Sequence, residues 1–260
     1  MSAQIALITG ASTGIGEVYA DRFAARGYNL VLVSRDQARL EAVAYRLKAA
    51  HGVEVDVLAA DLTKSDDLAR VEARARDDAN ISVLVNNAGA AGPGGFLDQG
   101  IDNIEAIIGL NVTAVTRLAR AVAPRFVAEG RGAIINLGSV VGLVPELGMT
   151  VYGATKAFVQ FLSQGLRQEL GAKGVYVQAV LPSVTRTEIW ERSGRDVDAL
   201  PAAMSVDDLV DAALVGFDRR EPITIPPLPD EGQWASFEAA RGAMAGNFMQ
   251  SKPAARYRAA

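Results

Sequence analysis

The stretch QIALITGASTGIG, Gln4 to Gly16, runs an apolar, strand-like segment straight into three closely spaced glycines. Gln4–Thr9 has the short unbroken hydrophobicity of a strand buried on both faces. Gly10, Gly14 and Gly16 let the backbone turn tightly before a helix expected over Glu17–Arg26 and stopped by Gly27. Such a turn is either a plain strand–helix corner or a cradle for a pyrophosphate at the helix N-terminus. Its place between the first strand and the first helix favours a dinucleotide, lined by Gly10, Ser12, Thr13, Gly14, Ile15 and Gly16.

The same alternation repeats outward from this unit. Strands are expected at Tyr28–Ser34, Val53–Ala60, Ile81–Val85, Ala133–Leu137 and Val175–Leu181, with a proline-flanked edge strand at Pro222–Pro227. Between them lie helical patterns. The first of these starts at a cap on Asp36 and runs to about Ala50, with His51 a solvated stop residue before Gly52. Others cover Lys64–Asp78, Ile101–Ala128 with Gly109 as a candidate break, Val151–Leu170 and Ser205–Phe217. The fold class is therefore α/β: a doubly wound parallel sheet of about seven strands, with helices on both faces. One domain is expected over 1–260. It includes a lid over the substrate at about 186–204, punctuated by Gly194 and Pro201, and a C-terminal tail at 229–260. Trp234, Phe237, Phe248 and Tyr257 make that tail too apolar to hang free; it covers the pocket or docks on another subunit.

Composition removes several function classes. A net charge of −4 argues against an electrostatic nucleic-acid binder. The absence of cysteine excludes disulfides, thiolate catalysis and Cys–metal sites, and a single histidine with no ligand cluster leaves no metal centre to expect. No apolar run approaches the roughly 20 residues needed to span a bilayer. Met1 leads almost at once into a strand, which leaves no room for a leader. A soluble cytoplasmic protein with no membrane partner is the expectation.

In open α/β sheets, ligands lie beyond the carboxyl ends of the strands. Polar or glycine-rich clusters stand at six such ends: Thr9–Gly16, Ser34–Arg35, Asp61, Asn86–Gly89, Ser139 and Pro182–Thr187. The second strand ends in Ser34 and Arg35 where an NAD-binding chain would place a carboxylate, and a guanidinium suits a 2′-phosphate. NADP(H) is expected over NAD(H). Asp61 either accepts from an adenine amino group or caps the helix that follows. In SVVGLVPELGMTVYGATK, Ser139 to Lys156, Tyr152 and Lys156 stand four apart on a helix, so phenol and ammonium share one face.

TGASTGIG at 9–16, NNAG at 86–89, Asn111, Ser139 and Tyr152-Gly-Ala-Thr-Lys156, in this order and spacing, resemble the short-chain dehydrogenase/reductase family over Gln4 to Glu188. The resemblance implies hydride transfer between NAD(P) and a carbonyl or alcohol. By the same likeness Tyr152 is the acid/base, Ser139 the partner of the substrate oxygen, Lys156 the ribose ligand and phenol activator, and Asn111 the anchor of a proton-relay water. Asn87, Ala88 and Gly89 would line the adenosine side, with Leu62 beside Asp61 and Pro182, Ser183, Thr185 and Thr187 near the nicotinamide. Two departures stand out: Ser183 follows Pro182 where glycine is frequent, and Thr185 occupies a position often held by valine. Relatives commonly assemble as dimers or tetramers through the long helices flanking strand five, so a homodimer or homotetramer is expected.

The chemistry can be rationalised. A free phenol with a pKa of about 10 is a poor base at neutral pH, and nearby cations lower it. Ser139 would donate to the oxygen on which charge builds. Phe96, Val140, Val141, Leu143, Val144, Leu147, Met149, Ile189 and Trp190 either line a pocket for a hydrophobic aldehyde, ketone or secondary alcohol or pack beneath the loops. Arg186, Arg192 and Arg195 keep an acidic substrate group open. Two other readings stand beside the carbonyl reductase: a non-catalytic NADP(H) sensor or scaffold, and a C=N or C=C reductase, against which the four-residue Tyr–Lys step argues.

Overall fold

The computed structural model describes residues 4–188 and 203–258. It divides into two compact units, Met1–Pro226 and Pro227–Ala260. The first holds a parallel sheet in the order β3-β2-β1-β4-β5-β6-β7. Its strands are β1 (Ile5–Thr9), β2 (Asn29–Ser34), β3 (Val55–Ala59), β4 (Ile81–Asn86), β5 (Ala133–Leu137), β6 (Tyr176–Val180) and β7 (Ile223–Thr224). Strand order reverses between β1 and β4, and that switch point opens the crevice in which such sheets hold ligands.

Alternation along the strands separates two cores. In β1, Ala6 and Ile8 face one cluster, with Phe23 of α1 (Gly14–Ala25) and Leu40 and Leu47 of α2 (Gln37–His51). Leu7 faces the other, with Val71 of α3 (Ser65–Asp77) and Leu118, Val122 and Phe126 of α5 (Val115–Glu129). Helix α6 (Thr150–Leu170) lies on this second face, through Leu170, and α7 (Val206–Asp218) on the first, through Val210 and Leu214.

Element boundaries follow local chemistry. Asp36 caps α2 as expected, accepting from Arg39 N at 3.0 Å, and Gly52 ends that helix in the left-handed conformation. His51 departs from expectation: instead of being merely solvated, its Nε2 lies 3.0 Å from Asp21 Oδ1 on α1, half-buried. Helix α1 begins at Gly14 rather than Glu17, so Gly14, Ile15 and Gly16 form its first turn.

Gly109 does not break its helix. Helix α4 (Ile101–Ile108) continues through a π-helical stretch, Gly109–Ala114, into α5. The resulting 29-residue helix, Ile101–Glu129, is long and apolar enough to cross a membrane, contrary to the expectation that no run approached that length. The core accounts for much of that hydropathy, because Ile107, Ala114, Val115, Leu118, Ala119, Val122 and Phe126 are buried. The second unit is built on α8 (Glu231–Ala245), close to the expected tail at 229–260.

One side chain fixes how β1 and β4 end together. The Thr9 hydroxyl accepts from the backbone N–H groups of Asn87 and Ala88, at 3.0 Å each, and donates to Val85 O at 3.3 Å. Replacing Thr9 with the near-isosteric valine orphans both N–H groups, so we expect a loss of about 2–4 kcal/mol in urea unfolding. Unchanged stability would show that these groups find other partners.

Candidate active site

The candidate site forms where β4, β5 and β6 end. Past β5, Ser139 is extended (φ −170°, ψ 152°) and opens a single 3-10 turn, Val140–Gly142. A second turn, Pro145–Leu147, leads through Gly148 (φ 74°) and Met149 (φ 59°) into α6. Met149 is one of two non-glycine residues with positive φ among those described, and such strain persists only where its surroundings impose it. Glycines make the close approach possible. A Cβ on Gly142 would stand 2.6 Å from Ala157 N, and one on Gly153 would stand 3.1 Å from Val141 O. Ser139 is thereby held against the α6 face that carries Tyr152 and Lys156.

Ser139 is buried; its hydroxyl donates to Pro182 O at 3.2 Å and accepts from Val141 N at 3.2 Å. It also stands beside the Tyr152 phenol, close enough to bear on its titration. Lys156 is only 6% exposed, and its ammonium donates to Leu137 O at 2.7 Å. Its Nζ lies 5.5 Å from the Tyr152 ring centroid, so the four-residue step brings the pair together as read from the sequence.

The titration of the pair differs from the simple expectation. Burial pushes the Tyr152 phenol up to about 12, and the neighbouring Ser139 hydroxyl only partly opposes this. Burial pulls Lys156 down to about 8. Desolvation is the larger cause, so in this state Tyr152 is a held proton donor rather than a near-phenolate.

Asn111 sits in the π-helical stretch, 1% exposed. Its Nδ2 donates to Ala90 O and Thr155 Oγ1, each at 2.9 Å, and its Oδ1 accepts from Ala90 N at 2.9 Å. Thr155 in turn donates to Tyr152 O at 2.7 Å. Sequence reasoning passed over Thr155; its place one residue before Lys156 was the available signal. One Asn111 Oδ1 lone pair remains. A point above Gly89, where a Cβ would stand, lies 3.3 Å from that oxygen and 3.4 Å from Lys156 Nζ.

The glycine turn is a packed cradle. A Cβ on Gly16 would meet Gly10 O at 2.2 Å, and one on Gly10 (φ +67°) would meet Asn87 Nδ2 at 2.8 Å. Asn87 Nδ2 donates to Thr9 O at 2.9 Å and Gly10 O at 3.2 Å, so this amide is committed to holding the turn. The α1 N-terminus has no side-chain cap: Thr13 makes no such bond, and Ser12, Thr13 and Ile15 are half-buried beside it. Its orphan N–H groups therefore suit an anion.

Arg35, at the end of β2, is exposed and makes no ion pair among the described residues, and the Ser34 hydroxyl accepts from Asp36 N at 3.2 Å. Asp61 does not cap α3, whose N-cap is Lys64; it spends Oδ1 on a local turn, accepting from Thr63 N at 3.1 Å and its hydroxyl at 2.7 Å, and Oδ2 remains for a ligand. Leu62 is buried in the core and can offer a ligand only its backbone.

Beyond β6, Thr187 approaches Gly14 at the α1 N-terminus: a Cβ on Gly14 would stand 3.3 Å from Thr187 Cγ2. Ser183 is exposed and Thr185 buried. The ends of the expected lid are tied by a parallel bridge between Thr185 and Met204, with Arg186 N donating to Met204 O at 3.0 Å. Residues 189–202, including Ile189, Trp190, Arg192 and Arg195, lie outside the described residues. Of the remaining pocket candidates, Phe96, Val144 and Leu147 are exposed, Val140, Val141 and Leu143 half-buried, and Met149 buried. No group of three or more His, Cys, Asp or Glu able to hold a metal occurs among the described residues.

Comparison with known proteins points the same way. The short chain dehydrogenase family model matches residues 4–198. A short-chain dehydrogenase from Sphingobium yanoikuyae, solved in complex with NADPH, is 60% identical, with a TM-score of 0.97 over 98% of this chain and 100% of that one. A bulky-bulky ketone specific alcohol dehydrogenase from Comamonas testosteroni is 52% identical, with a TM-score of 0.93 over 100% of both chains. The very-long-chain 3-oxoacyl-CoA reductase of Bos taurus is 40% identical over 188 residues, 71% of this chain and 60% of its own length. The chain thus spans about three fifths of the length of the curated relatives it matches.

The packing of Gly142 on α6 can be tested directly. Gly142→Ala drives a methyl group into the Ala157 backbone and should cost about 1–3 kcal/mol in thermal unfolding. A melting curve identical to the parent's would mean that the turn and the helix are not held together there.

Proposed function

Because the chain belongs to the short-chain dehydrogenase family, we propose that it is an NADP(H)-dependent oxidoreductase acting on a ketone with bulky apolar substituents, or on the matching secondary alcohol. One observation carries this reading: buried Ser139 and Lys156 converge with half-buried Tyr152 at the switch-point side of the sheet. The glycine cradle, the uncapped α1 N-terminus and the unpaired Arg35 fit a dinucleotide with a 2′-phosphate. NADPH in the Sphingobium yanoikuyae structure supports the same choice.

When bound, the coenzyme supplies or accepts the hydride. The protein's part is to place and protonate. Tyr152, held neutral by burial, donates its proton to the carbonyl oxygen, and Ser139 adds a second hydrogen bond to that oxygen. Lys156, with its Nζ 5.5 Å from the Tyr152 ring centroid, would hold the coenzyme ribose as well as donating to Leu137 O. A water bridging Lys156 Nζ and the remaining Asn111 Oδ1 lone pair, which approach the same side of Gly89, would return a proton to the pair.

Exposed Phe96, Val144 and Leu147 near the strand ends support an apolar substrate, as does the likeness to the Comamonas testosteroni enzyme. A sensor that had given up catalysis would have no need to keep Tyr152 beside buried Ser139 and Lys156. Exposed Phe161, at 76%, and Phe158 on α6 support a homo-oligomer paired through this helix, and the lack of cysteine fits a cytoplasmic setting.

Two substitutions test the reading. Tyr152→Phe should cut ketone reduction about 100-fold or more while leaving NADPH affinity within about threefold; retention of most activity would refute the acid role. Arg35→Asp should lower the NADPH-to-NADH ratio of kcat/KM at least about tenfold, and an unchanged ratio would place 2′-phosphate recognition elsewhere.

A further inference from the structure

No residue from Pro227 to Arg258 is buried, although the unit they form is built on a 15-residue helix. An isolated helix of that length is marginal in water, and units below about 40 residues ordinarily need a partner. The helix carries an apolar stripe at Trp234, Phe237 and Met244, whose steps of three and seven follow a heptad seam, and Phe248 follows just past its end. Trp234 and Phe237 stack with centroids 5.2 Å apart, and Phe237, Met244 and Phe248 are 48%, 51% and 70% exposed. The one cation on that stripe, Arg241, is neutralised by Glu238 at 2.8 Å.

Charge divides the unit into two ends. Asp230 and Glu231 open it, and Lys252, Arg256 and Arg258 close it, none of the five in an ion pair among the described residues. A surface with an apolar middle, an acidic start and a basic finish is complementary to itself turned end for end. We propose that this unit is a two-fold interface, pairing antiparallel with the same unit of a second copy, Asp230 and Glu231 of each facing the basic end of the other. Such a contact closes on itself, so it doubles the assembly and then stops. It is distinct from any pairing through α6.

Sedimentation velocity of the full chain, protomer mass 27.4 kDa, tests this. F237E/M244E, D230K/E231K and K252E/R256E/R258E should each halve the assembled mass while keeping the parent's circular dichroism and NADPH binding. Combining the two charge reversals should restore the parent mass. An unchanged mass for F237E/M244E would overturn the proposal; so would failure of the combined reversal to restore assembly, which would place the tail on another surface. As a second measurement that needs no disruptive change, F237C/M244C in this cysteine-free chain should oxidise to a covalent dimer, and a product that stays monomeric would contradict the pairing.

Discussion

A buried ammonium needs a reason to be where it is. Lys156 is kept from water and donates to the carbonyl of Leu137 at 2.7 Å, beside the Tyr152 ring. Burial of that charge is costly, as its lowered titration shows. The rest of the site can be read as the apparatus that holds it in place. The π-helical stretch carries Asn111 to Thr155, Gly142 and Gly153 let α6 press against the Ser139 turn, and Ser139 reaches Pro182. Three strand ends and two helices thus converge on one phenol.

The same economy governs the coenzyme side. Thr9 and Asn87 bind the ends of β1 and β4 to each other, so the cradle is rigid before anything enters it. Side chains named in sequence for the ligand turn out to serve the frame: Asn87 holds the turn, Asp61 gives one oxygen to Thr63, and Leu62 fills the core. Arg35 is spent on nothing within the described chain, which leaves it free for the proposed 2′-phosphate.

Much of this was legible beforehand because it depends on spacing. Strand-like runs separated by helical patterns led to the doubly wound sheet, and Tyr152 four before Lys156 placed both groups on one face. What escaped depends on contacts between distant segments. The continuity of the helix through Gly109 comes from packing that overrides a local propensity of about 1 kcal/mol. The role of Thr155, the partner of His51 and the clasp of Gly142 on α6 join residues far apart in the chain, which periodicity cannot see. The direction of the Tyr152 shift was missed for another reason: the sequence shows the cation four residues away, but not how completely the phenol is desolvated.

If the Lys156 charge is held at a cost until an anionic coenzyme arrives, binding must carry a proton signature. In the free protein the ammonium loses its proton near pH 8, whereas a bound dinucleotide favours the charged form and raises that pKa. Binding then takes up a proton above about pH 8, and affinity falls as pH rises, by at most about tenfold per unit. The direct measurement is the NADPH dissociation constant from pH 7 to 9.5, for the parent and for Lys156→Met. A parent Kd that climbs through this range beside a flat Lys156→Met profile is the predicted result. A flat parent profile, or an equal slope in both proteins, would contradict it.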